Sequence, residues 1–76
     1  MVTSRIVIDP RIMMGKPVIR GTRITVEILL KKLSEGLSQE EIMKEYPRLK
    51  AADIKAALGY AASTIQNEEI HFVSKR

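Results

Sequence analysis

Eleven consecutive residues, Met14-Gly-Lys-Pro-Val-Ile-Arg-Gly-Thr-Arg-Ile24, hold two glycines, one proline, three basic side chains and no acid. That mixture excludes a regular helix and an ordinary core strand. Pro17 and the glycines set turns, while Val18, Ile19 and Ile24 want burial beside them. Lys16, Arg20 and Arg23 place concentrated positive charge on a short extended segment, which calls for an anionic partner, a second copy of the chain, or both. Val18 to Thr25 reads as a tight hairpin with Gly21-Thr22 as the central pair of a type II′ turn, where glycine comes first.

The charge is segregated. Through Val26, five bases (Arg5, Arg11, Lys16, Arg20 and Arg23) face Asp9 alone, and from Glu27 onward eight bases balance eight acids, so the net charge of +4 sits in the first third. A basic arm on a neutral body points to nucleic acid or an acidic protein surface. The alternatives are a solvated surface, or local pairing of Lys16, Arg20 and Arg23 with Asp9, Glu27 or a partner chain.

Seventy-six residues make one domain, read here as an arm over 1–25, a helical body over 26–66 and a tail over 67–76. Such a chain buries only about 60% of its unfolded surface and is marginal alone, and with no cysteine it has no disulfide to staple it. One histidine and no clustered acids leave no good zinc set, so no cofactor is expected. The N-terminus carries no long apolar run, and the expected location is the cytoplasm.

Arg5-Ile-Val-Ile-Asp9 reads as a strand stopped by Pro10, and 11–17 as loop. Thr25 caps a first helix whose Val26, Leu29, Leu30, Leu33 and Leu37 form one apolar stripe, with Gly36 as the C′ residue. Ser38-Gln-Glu-Glu41 is a capping box that opens a short second helix, with Ile42, Met43 and Tyr46 inward and Pro47 as its stop. A third helix starts near Ala51 and ends near Asn67, with Asp53 in its first turn and Ile54, Leu58, Ala61 and Ile65 as its buried face.

The second helix, the turn at 47–50 and the third helix have the proportions of a helix-turn-helix, in which the later helix enters the major groove. Lys50 and Lys55 would then reach phosphates, and no Arg, Asn or Gln stands where it could make a bidentate base contact. A plain three-helix bundle fits the same pattern. Gly15-Lys16 is not a nucleotide loop, because position 10 is Pro and Pro17 fills the Ser/Thr place. His71, the one imidazole, has no nucleophile or orienting acid nearby in sequence, and with no other acid–base set the chain does not read as an enzyme.

Taken in order, Ile8-Asp9-Pro10, Gly15-Lys16-Pro17-Val18-Ile19-Arg20-Gly21-Thr22-Arg23-Ile24, Gly36-Leu37-Ser38, Glu41-Ile42, Tyr46-Pro47-Arg48-Leu49, Asp53-Ile54 and Ala57-Leu58 closely resemble the small proteins grouped as domain of unknown function four-three-three. These are commonly regarded as antitoxin-like proteins of the VapB type. The resemblance runs from about Ile6 to Ala62 and is most specific in the Gly-Lys-Pro to Arg-Gly-Thr-Arg core. It implies a mainly α fold, a homeodomain-like helix-turn-helix bundle with a short N-terminal β element. It also implies a PIN-like ribonuclease toxin as partner and repression of the shared operon; the alternative is an interaction module that sequesters a nuclease without touching DNA. Two positions depart from the family pattern. Thr25 stands where Pro is common and can cap instead, and Lys50 stands where Thr or Ser is common and cannot accept from helix amides.

The candidate site residues are therefore Lys16, Arg20, Arg23, Lys50 and Lys55 for DNA. Val18, Ile19 and Ile24 are expected to form a homodimer edge. The tail residues Ile70, Phe72, Lys75 and Arg76 are candidates for contact with a toxin, apolar area coming from the first two and orientation from the last two; the alternative is that Phe72 folds back on the bundle or completes a sheet with Ile6 to Ile8.

Overall fold

The computed structural model describes residues 5–68. The fold is mainly α, with three helices and a small antiparallel sheet. Strands β1 (Ile6–Val7) and β2 (Val18–Ile19) pair with Ile6 opposite Ile19 and Val7 opposite Val18. Helices α1 (Val26–Ser34), α2 (Gln39–Glu45) and α3 (Ala51–Glu68) follow. Among the described residues no helix is long and apolar enough to cross a membrane.

Between the strands the chain reverses twice. The Asp9 carboxylate accepts from the Arg11 backbone N–H at 2.9 Å and from its guanidinium at 2.9 and 3.1 Å, an Asx turn closed by an ion pair. That pairing holds the Asp9 carboxyl below its ordinary range. Met13, Met14 and Gly15 then take left-handed conformations, φ 47°, 56° and 83°, and turn the chain into β2.

The hairpin expected over Val18–Thr25 is present. Val18 bridges Thr25, the Ile19 N–H donates to the Ile24 carbonyl at 2.9 Å, and the Val26 N–H donates to that of Pro17 at 2.9 Å. Its turn differs from the expected one. The Thr22 N–H donates to the Ile19 carbonyl at 3.0 Å, and Gly21 has φ +80°. Arg20-Gly21 is thus the central pair, with glycine second, as in a type II turn. The cause is Thr22: its hydroxyl donates to the Ile19 carbonyl at 2.8 Å and accepts from the Ile24 N–H at 2.9 Å, so it closes the loop rather than occupying its centre.

A second correction follows from this arrangement. Val18, Ile19 and Ile24 were expected as an exposed edge for a second chain. Val18 and Ile19 are 1% and 2% exposed, and Ile24 packs against the core. One side of β2 is taken by β1 and the other by Thr25; Ile19 packs in the helical core, and Val18 is buried beside Val7, Ile12 and Ile24.

The helices start and stop where their sequence directs. The Thr25 hydroxyl accepts from the Ile28 N–H at 3.2 Å. At the end of α1, the Gly36 N–H donates to the Leu33 carbonyl and the Leu37 N–H to that of Lys32, a Schellman motif that Gly36 permits with φ +96°. The capping box of α2 is complete, with the Glu41 N–H on the Ser38 hydroxyl at 3.1 Å and the Ser38 N–H on the Glu41 carboxylate at 2.7 Å. Lys32 ties α1 to α2 through Glu45 at 3.2 Å and lies 5.8 Å from the Tyr46 ring centre.

Ile6, Leu29, Ile42 and Ile54 are fully buried and join the sheet to all three helices. On α3 the buried face differs from the expected one: Ile54 is buried, and so are Asp53 and Ala57, but Leu58 is 42% and Ile65 65% exposed. Leu58 follows the buried Ala57 but points away from the core, and Ile65 lies beyond Tyr60, the last residue of α3 packed on it.

Truncating Ile42→Ala, at the junction of α1, α2 and α3, should lower the unfolding free energy by about 2–5 kcal/mol in urea titration. Ser38→Ala should lower it by about 1 kcal/mol, through lost capping alone.

Candidate nucleic-acid interface

The N-terminal end of α3 begins with a residue that cannot cap it. Lys50 has no side-chain acceptor, and its cation opposes the helix dipole. The structure resolves this from three residues further on. The Asp53 carboxylate, in a residue 6% exposed, accepts the Lys50 backbone N–H on Oδ2 at 2.9 Å. The Asp53 N–H in turn donates to the Lys50 carbonyl at 2.9 Å. An acid in the first turn also suits the dipole. The cap expected to be missing at Lys50 is thus supplied by half of a capping box run from Asp53.

The other oxygen of Asp53 reaches out of the helical body. Oδ1 accepts from Arg5 Nη1 at 2.8 Å, with 45% of the Arg5 side chain exposed and 9% of Asp53's. Arg5 is placed there by the sheet. The Arg20 N–H donates to the Arg5 carbonyl at 2.8 Å, which extends the Ile6–Ile19 pairing by one residue on each strand. Arg5, Arg20, Lys50 and Asp53 together line an open cleft of about 330 Å³. Three basic residues, from the outer end of each strand and from the start of α3, line it with one carboxylate, to which Arg5 is paired. The basic residues outnumber the carboxylate three to one there.

The other candidates fall elsewhere. Lys16 pairs with Glu27 at 3.4 Å on α1, so for Lys16 the local-pairing alternative is the one realised. Arg23 shares a different cleft with Arg48, over a floor that includes Val7, Ile12, Val18 and Ile24. Arg20 and Arg23, on either side of Gly21-Thr22, thus line different clefts. Lys55 is exposed on α3 but does not line the cleft of Lys50. Ile70, Phe72, Lys75 and Arg76 lie outside the described residues.

Sequence reasoning missed Arg5 as a site residue and gave Asp53 only a dipole role. Lys50 as a defective cap with an acid three residues later was a usable signal for Asp53. No local signal links Arg5 to Asp53, 48 residues away.

The comparisons with known proteins can now be placed on this geometry. The family model described as Protein of unknown function (DUF433) matches residues 6–61. The chain belongs to the DUF433 family. Among solved structures it is similar to a DUF433 member protein from Anabaena variabilis, at 30% identity and TM-score 0.79, over 91% of this chain and 68% of that one. No curated protein matches the chain. Both strands, all of α1 and α2 and the first eleven residues of α3 fall inside the DUF433 match, including Asp53 and Arg20, with Arg5 immediately before it.

Asp53→Ala should lower stability by about 2 kcal/mol, from the lost cap plus an ion pair discounted for the exposure of Arg5. Arg5→Ala should cost about 1 kcal/mol, because it takes the partner from one oxygen of a buried carboxylate while opening that oxygen to water. Asp53→Asn, which keeps an acceptor for the Lys50 N–H, should fall between them. Urea unfolding checks the order, and equal losses for Arg5→Ala and Asp53→Ala would put the cap out of account.

Proposed function

We propose that this DUF433 protein is an antitoxin-like DNA-binding protein whose helix-turn-helix, α2 to α3, presents the N-terminal end of α3 to the duplex. In this reading it represses its own operon and neutralises a PIN-like ribonuclease. The observation that carries the DNA half is the convergence of Arg5, Arg20 and Lys50 around Asp53 at the start of α3. That is the end at which a recognition helix meets DNA. No Arg, Asn or Gln lies among 50–55, so phosphate contact and shape dominate over reading of base edges. The antitoxin half rests on the sequence resemblance, and the nuclease is a partner by that resemblance alone.

A second reading, an interaction module that sequesters a nuclease without touching DNA, draws on the cleft of Arg23 and Arg48. Its apolar floor between two arginines fits an acidic segment with apolar side chains.

Duplex binding followed by fluorescence anisotropy across salt concentrations separates the two. The DNA reading predicts affinity that falls linearly with log salt, and a slope reduced by about one for Arg20→Ala and again for Lys50→Ala. Lys16→Ala, at a residue paired with Glu27, should leave the slope nearly unchanged. Absence of salt-dependent binding, with a nuclease still co-purifying, would establish the second reading.

A further inference from the structure

The last turns of α3 carry a surface that the body does not use. From Ala56 to Asn67 there are twelve residues without a single charge, in a chain that is 29% charged. Leu58 is 42% and Ile65 65% exposed, and Ala62 between them is exposed too. Leu58, Ala61, Ala62 and Ile65 stand three, four and seven apart, so they share one face of the helix. This face carries an apolar periodicity that predicts burial, yet within one chain Leu58 and Ile65 remain at the surface. It continues into a groove of about 280 Å³ between α3 and α1, walled by Ile65, Tyr60 and Leu30.

We propose that this face is a two-fold interface with a second copy of the same chain, made by antiparallel packing of the C-terminal halves of α3. Charge selects this occupant. Each copy carries +4, concentrated before residue 27, so two copies repel through their arms. The uncharged turns of α3 let them meet without opposed charge. The same neutrality gives nucleic acid or an acidic partner nothing to hold. Register permits it too. A dyad midway between Ala61 and Ala62 sets Ala61 against Ala62 of the copy and Leu58 against its Ile65, then the reverse. The pattern is therefore self-complementary, as an isologous contact requires. Alanines at the crossing allow the close approach, about 8 Å between axes, at which the flanking Leu and Ile interlock.

The geometry has a consequence that rests on the DNA-binding reading. Ala51 lies ten and a half residues from the dyad, so at 1.5 Å per residue the two N-terminal ends of α3 stand about 32 Å apart. Two half-sites one helical turn apart are separated by roughly 34–36 Å. The dimer would set its two clefts of Arg5, Arg20 and Lys50 at successive turns of one duplex.

Sedimentation equilibrium of the full chain without DNA tests the interface independently of that reading. At tens of micromolar the expected mass is twice the 8.6 kDa chain, and the doubly substituted Leu58→Lys/Ile65→Lys chain should return to the single-chain mass. Both positions are exposed, so its helical circular dichroism should be unchanged. The protein has no native cysteine, so a single Ala62→Cys should form a disulfide-linked dimer under mild oxidation, while Ser63→Cys, on the opposite face, should form little. A single-chain mass for the unsubstituted protein, a dimer that survives the double substitution, or equal cross-linking at 62 and 63 would overturn the proposal. If the dimer forms but does not bind DNA, the interface stands and the DNA reading fails.

Discussion

The Asp53 carboxylate is the group on which the arrangement of this protein depends. One oxygen stops the start of α3 from fraying by accepting the Lys50 amide, and the other fixes the Arg5 guanidinium. Arg5 is the residue before β1, so this one side chain joins the N-terminal arm to the longest helix. It is buried, and none of the buried side-chain polar atoms among the described residues lacks a partner. A buried acid held on both oxygens is a costly device unless each bond is made. Here it also gathers cations: with Arg5 fixed, the strand pairing brings Arg20 alongside, and the capped Lys50 completes the cleft.

Local features of the fold were legible in the sequence because local chemistry decides them. The stripe from Val26 to Leu37, the Gly36 stop, the Ser38–Glu41 box and the Thr25 cap all depend on residues within one or two turns of each other, and all are present. The hairpin was legible, but its turn type was not, because two readings of Arg20-Gly21-Thr22 differ only in what the Thr22 hydroxyl does. Exposure was misread twice, for opposite reasons. Val18 and Ile19 looked like an edge but are covered by segments distant in sequence, Ile19 by the helical core and Val18 beside Val7 and Ile12. Leu58 and Ile65 looked like core because periodicity reports which face is apolar, not whether another element covers it.

The site was only partly legible. Arg20 and Lys50 were among the expected phosphate contacts and share one cleft; Lys16 and Arg23 were among them too, and lie elsewhere. Charge counting along the chain marked a basic segment but could not sort its members between clefts. That sorting depends on the strand register and on a carboxylate 48 residues from its partner. The two ends of α3 differ in character. Its first turns gather positive charge, and its last turns are neutral and apolar.

The claim most open to direct test is that the start of α3, with the arm fastened to it, is where an anionic backbone docks. An amide-resolved NMR titration of the chain with a short duplex at low salt tests it. The account predicts the largest shifts at the amides of Arg5, Arg20 and Lys50 to Asp53, and little change from Ser63 to Asn67. Shifts confined to the neighbourhood of Arg23 and Arg48, or none at all, would contradict it.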